Sequence, residues 1–342
     1  MTTLRDLQAA AAFDPSPLRA DLPRTHVPFE DLVPGANVET NALDALCHTE
    51  RIAVVGPTGS GKSSLIGHLL AGTDRIAGIR VSVEAQSPEV VTEPAAFAGH
   101  VLRELGRLSD ASRLLRSRRR LSASARAVTV EQRRRARGGV NLPTWLADAS
   151  VAAEMESAVS ATFELPSSEL FEAAHEAIVT ITASTKRFPV IVIDDSDAWL
   201  RTELADRSQL VGGFFGRVLH RVADEWAVGL LVAVHDDYLT NPAYPRASGS
   251  LSKEIRLPRL PDYQALRQIV AARIAAVSND REQTALVTDA ALAEMYRYYA
   301  ARNGNVRAAM YLLHTALGVA IDETVERIDQ PHMLVALTRT GA

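Results

Sequence analysis

The chain has 342 residues, 47% of them hydrophobic, with 37 Lys and Arg against 41 Asp and Glu for a net charge of −4. That composition supports a sizeable core and excludes both global disorder and a surface tuned throughout to coat nucleic acid; a local basic patch stays open. A single cysteine, Cys47, excludes an intramolecular disulfide, and no apolar run reaches the ~18 residues a membrane helix needs. The N-terminus lacks a continuous apolar stretch and carries Arg5, Asp6 and Asp14, so it does not read as a signal peptide. The expectation is a reduced, cytoplasmic protein.

Residues 1–48 read as an irregular lead-in, because Pro15, Pro17, Pro23, Pro28 and Pro34 prevent a long helix; 41–49 can form a short one. Arg51–Val55 is a β-branched run ending at Gly56, the pattern of a buried strand. Lys62–Ala71 reads as a helix, 79–83 as a strand, and 94–108 as a helix with Phe97, Val101, Leu102 and Leu105 at helical spacing. Between Arg103 and Arg137 there are twelve arginines against three acids, and Gly138-Gly139 ends the run. The segment of about 109–165 therefore reads as an insertion. Beyond it, Ser167 or Ser168 can cap a helix to about 186. The strands 189–193 and 228–234 are apolar throughout, as central parallel strands are, and flank a helix over 209–225. A short strand at 255–257 stops at Pro258. Helices follow at about 262–277, 289–302, 305–320 and 330–338, with Asp262, Thr288 and Asp329 as caps. Alternating strands and helices followed by an all-helical tail predict an α/β class: a P-loop parallel sheet flanked by helices, then a small all-α lid domain. The expected division is a lead-in at 1–48, a core at 49–260 and a lid at 261–342.

Gly56-Pro57-Thr58-Gly59-Ser60-Gly61-Lys62-Ser63 matches the phosphate-loop pattern at every fixed position, between a strand and a helix. Its glycines let backbone N–H groups turn inward around phosphate oxygens, and the following helix offers its positive end to the same anion. Lys62 can reach the β- and γ-phosphates, and the Ser63 hydroxyl can ligate magnesium. With the adjoining Ser64, these are the predicted nucleotide-binding residues, for ATP with Mg2+. The second half is Val190-Ile191-Val192-Ile193-Asp194-Asp195. Asp194 at the strand end would hold the metal through its water shell, and Asp195 would orient or deprotonate the attacking water. The bland alternative for this acidic pair is a charged strand-to-helix turn.

With these motifs in place the sequence resembles the AAA+ ATPases, and within them the initiator branch that includes the Orc1/Cdc6 proteins, over roughly residues 25–340. In that branch the acidic strand usually ends Asp-Glu-x-Asp; here it is Asp194-Asp195-Ser196-Asp197, so the base is one methylene shorter. The resemblance implies a polar sensor after the next strand, which is His235, unless His235 simply caps the strand end. It also implies a lid arginine, which is Arg307 within Gly304-Asn305-Val306-Arg307, and a trans-acting arginine finger, for which Arg246 is the candidate. By the same resemblance residues 27–33 lie near the adenine. The winged-helix DNA-binding domain of the initiators has no counterpart before Ala342.

Two basic clusters, Arg116, Arg118, Arg119 and Arg120, then Arg133, Arg134, Arg135 and Arg137, can neutralise DNA phosphates; the alternative is a solvated arginine-rich helix or a protein contact. The leading expectation is an AAA+-type ATPase acting as a nucleotide-driven switch or remodeller on a partner protein, on DNA or on both, with a homo-oligomer as one arrangement. A second reading is a slow regulatory ATPase similar to STAND or transposition-helper proteins, whose effector is a separate protein. A small-molecule kinase is the third, but no acceptor-pocket motif is present.

Overall fold

The computed structural model describes residues 3–15, 22–83, 88–105, 169–185, 187–194, 196–201, 203–278 and 286–341. The arginine-rich insertion, with Arg116 to Arg120 and Arg133 to Arg137, and the expected base Asp195 lie outside the described residues.

Five strands form one sheet: β1 (Arg51–Val55), β2 (Ile76–Ser82), β3 (Phe188–Asp194), β4 (Gly229–Val234) and β5 (Lys253–Arg256), in the order β2-β3-β4-β1-β5. Strands β2 and β3 pair in parallel, as do β3 and β4. All six residues of β4 and the last six of β3 are buried. Continuous apolar runs are what parallel strands covered on both faces require. The chain separates into two compact units: 1–43 with 54–72 and 255–342, and 44–53 with 73–254. The contacts thus group the chain otherwise than by sequence order.

The first unit holds the lid helices Tyr263–Val277, Asp289–Ala301, Val306–Asp322 and Gln330–Arg339. Asp262, Thr288 and Asp329 cap the first, second and fourth with their side-chain oxygens, as expected, and Asn305 caps the third. The lead-in is more regular than its prolines imply. It contains helices at Leu4–Ala9, Leu22–Thr25, Phe29–Leu32 and Val38–Cys47. They are short, Pro23 sits in the first turn of the second, where its missing N–H costs no helical bond, and Thr3 and Asp6 form a capping box on the first. Leu4, Leu7, Phe13 and Leu32 join Leu266, Leu313 and Met333 in one apolar core. Each such burial contributes about 1.5–3 kcal/mol, which is why this segment orders on the lid helices instead of staying an irregular leader.

In the second unit the expected helix at 209–225 begins earlier and changes pitch. It runs Leu204–Gly213, then a π-helical Phe214–Leu219, then His220–Glu225. The consecutive Phe214 and Phe215 in this turn are both fully buried, with ring centroids 5.1 Å apart. The Phe171 and Trp226 rings lie 4.8 Å apart, and Trp226 Nε1 donates to the Phe171 carbonyl at 3.2 Å. Short helical turns at Pro88–Thr92, Ser196–Arg201, Asp236–Thr240 and Tyr244–Ser248 are too brief to show a periodicity in sequence. No helix among the described residues is long and apolar enough to cross a membrane.

Candidate nucleotide site

The loop after β1 turns on two left-handed glycines, Gly59 at φ 76° and Gly61 at φ 106°, and Gly61 is the N-cap of the helix Lys62–Ala71. A side chain at either position meets steric strain. At Gly56 space is the limit, since a Cβ there would lie 2.7 Å from Ser60 Oγ and 3.5 Å from Leu257 Cβ. Lys62 is buried, and its ammonium donates to the carbonyls of Gly56 at 2.7 Å and Pro57 at 3.0 Å, which spans the loop. Ser60 Oγ is buried with no hydrogen-bond partner among the described residues. A buried hydroxyl in that position, glycine-only backbone and a helix N-terminus together form an anion cradle. The residues present therefore fit a nucleotide phosphate chain, with Ser63 in the helix's first turn.

The third lid helix meets this loop within the first unit. Val306 N–H donates to the Gly59 carbonyl at 3.0 Å. A Cβ on Gly59 would overlap the Asn305 carboxamide and approach Arg307 Cβ to 3.0 Å. Asn305 Oδ1 meanwhile accepts from Ala308 N–H at 2.9 Å, capping the helix that carries Arg307. Arg307 itself is exposed. The structure thus brings the phosphate loop and the predicted lid arginine together through Gly59 and Asn305.

The N-terminal segment backs the same helix. Leu22 and Pro23 lie against Gly67, His26 Nδ1 is 3.0 Å from Ser64 Oγ, and the Phe29 ring lies 3.3 Å from where a Cβ on Gly61 would be. His26 Nε2 is 3.0 Å from Glu39 Oε1, which also accepts the Phe29 N–H at 2.8 Å. Burial pushes the Glu39 carboxyl up, but the His26 and Phe29 hydrogen bonds outweigh it and hold it below the ordinary glutamate value. The His68 ring lies tilted by 30° against His26, with centroids 4.5 Å apart; burial first, then the neighbouring His26, depresses its pKa against the pull of Glu39. The sequence offered no signal for this network, because its members are separated in the chain and match no motif.

In the second unit Asp194 is buried at the end of β3, level with Ser82 of β2. Arg80 Nη1 is 3.7 Å from Asp194 Oδ2, an ion pair the sequence did not indicate. Just beyond β3, Ser196 Oγ donates to the Ala233 carbonyl at 2.7 Å and the Tyr238 hydroxyl donates to the Ser196 carbonyl at 2.5 Å, so the ends of β3 and β4 are tied together. Burial, reinforced by Asp197, raises the Tyr238 pKa, which keeps it a donor. His235 follows β4, is buried, and its Nδ1 accepts from Asp237 N–H at 3.1 Å. It caps the short helical turn Asp236–Thr240. Arg246 is exposed on the helix Tyr244–Ser248.

The AAA ATPase domain family model matches residues 38–212. No curated protein matches the chain. Among solved structures, the Aeropyrum pernix ORC1 protein in complex with DNA is 16% identical and aligns over 91% of this chain and 69% of its own, at a TM-score of 0.49. The Aeropyrum pernix ORC2 protein in its ADPNP-ADP complexes is 12% identical over 89% and 68%, at 0.46. Drosophila ORC bound to DNA is 14% identical over 96% and 67%, at 0.45.

Proposed function

The chain belongs to the AAA ATPase domain family, and from that premise we propose that it is a magnesium-dependent ATPase working as a nucleotide-driven switch or remodeller on a partner protein, on DNA or on both. The observation that carries the proposal is the loop itself: two left-handed glycines, a buried Lys62 and a lid helix hydrogen-bonded to Gly59. Residues Gly56 to Ser64 bind the phosphates, with Lys62 releasing the loop carbonyls to pair with phosphate oxygens. Magnesium, when bound, offsets charge on the phosphates, and Ser63 and Asp194 are the side chains that would hold it. Asp195 takes the proton of the attacking water, His235 holds the polar position after β4, and Arg307 completes the γ-phosphate contacts from the lid. Because the lid helix begins on Gly59, a change in the loop is transmitted to Arg307 without an intermediary.

DNA contact through the two arginine clusters, a protein partner, a homo-oligomer supplying Arg246 in trans, and a cytoplasmic location in keeping with the lone Cys47 belong to the same proposal. A slow regulatory switch of the STAND or transposition-helper kind is the second reading. The Arg80–Asp194 pair favours it, because a guanidinium on the carboxylate competes with a metal's water shell. Steady-state ATP hydrolysis by the full chain, with and without duplex DNA and with Lys62→Ala as the blank, tests both. Turnover that DNA accelerates supports the DNA-linked motor. Bound ATP with negligible turnover supports the slow switch, and no ATP binding overturns both.

A further inference from the structure

The lead-in segment meets the helix Lys62–Ala71 and its N-cap at three points three residues apart: Gly67, Ser64 and Gly61. Its own contacts, Leu22 with Pro23, then His26, then Phe29, advance by three or four residues at a time in the opposite direction. The two outer contacts are steric, at glycines that allow close approach. The middle one is polar and specific, and it falls on Ser64, in the first turn of the helix whose N-terminus faces the phosphates.

The chemistry of that middle contact is set from behind. Glu39, held as a carboxylate, can only accept, so His26 Nε2 carries a hydrogen towards it. In the neutral ring Nδ1 is then bare and accepts from the Ser64 hydroxyl; in the charged ring Nδ1–H donates to the same oxygen. Either state keeps the bond to Ser64. The His26 side chain is only 2% exposed, so little solvent competes for it.

We propose that His26, oriented by Glu39, is a positioning residue for the nucleotide: by anchoring Ser64 it holds the first turn of the phosphate-loop helix, and its N–H groups, in place before the phosphates arrive. This rests on the nucleotide-binding reading above. The lead-in is then part of the binding apparatus, and loosening it weakens di- and triphosphate binding alike, because the anchored turn serves phosphates common to both. A preformed turn spares binding the cost of ordering it.

Two near-isosteric substitutions separate this role from a merely structural one. An asparagine carboxamide reaches about where Nδ1 sits, towards Ser64; a glutamine carboxamide reaches about where Nε2 sits, towards Glu39. MgATP and MgADP binding by calorimetry, with thermal melting of each full-length variant, should give opposite orders. His26→Asn is expected to bind within about threefold of wild type yet melt lower than His26→Gln. His26→Gln and His26→Ala are expected to bind about 5- to 10-fold more weakly, the effect of one lost hydrogen bond. Ser64→Ala should weaken binding by a similar factor, with no further loss when combined with His26→Ala. Glutamine binding as well as wild type while asparagine does not would assign His26 to satisfying Glu39 alone and overturn the proposal. So would additive losses in the double variant, or equal weakening of all three His26 variants. A wild-type chain that does not bind nucleotide sinks the functional reading itself, which the variants cannot do.

Discussion

Gly59→Ala is the perturbation that tests most directly how the phosphate loop meets the lid. At φ 76° an alanine costs about 1–2 kcal/mol of backbone strain. Its Cβ also overlaps the Asn305 carboxamide, which must swing away from Ala308 N–H and give up its cap, a further loss of about 1 kcal/mol. The sum is about 2–3 kcal/mol. In an Asn305→Ala background the cap is already gone and the carboxamide absent, so Gly59→Ala should cost only the strain, about 1–2 kcal/mol. The coupling between the two positions is therefore about 1 kcal/mol. Urea unfolding of the four chains, followed by helical circular dichroism, reads it as a shift in midpoint at constant slope. Nucleotide affinity should fall with Gly59→Ala in both backgrounds, since the loop is displaced either way. An equal stability cost in both backgrounds would refute the reasoning, because Gly59 and Asn305 would then not share a contact.

Lys62→Ala should abolish ATP binding in equilibrium dialysis or weaken it severely; an unchanged affinity removes the phosphate-loop assignment. Asp195→Asn should leave ATP affinity within about threefold and stop turnover in a phosphate-release assay, and undiminished turnover would move the base elsewhere. Replacing the arginines at 116–120 and 133–137 with serine should abolish DNA binding, and binding that persists with the same salt slope would place the contact on another surface. Glu39, whose folded pKa is depressed below the ordinary 4.5, contributes stability that is fully present above that value and is lost as pH falls through the folded one. The acid limb of thermal stability should thus be shallower in Glu39→Gln, and parallel limbs would contradict the network.

Much of the α/β pattern could be read locally. Strand β1 and the helix Lys62–Ala71 fall at their expected bounds, because a β-branched run, a glycine turn and a periodic apolar segment are each short-range signals. The caps at Asp262, Thr288 and Asp329 were legible for the same reason: a cap is a bond between a side chain and backbone two or three residues away. The lead-in misled because prolines bar a long helix, while the short Leu4–Ala9 helix and Phe13 order by burial against residues 247 to 332 positions later.

The order of residues along the chain, with its glycine spacing and apolar periods, was enough to determine the phosphate loop, the buried strands and the helical lid, since those depend on neighbours a few positions apart. Only the tertiary structure decided what surrounds them. It set Asn305 on Gly59, His26 on Ser64 with Glu39 behind it, and Arg80 beside Asp194. Each of these pairs is brought together by the packing of whole elements, which sums many weak burials over distant residues and leaves no mark in any short window of sequence.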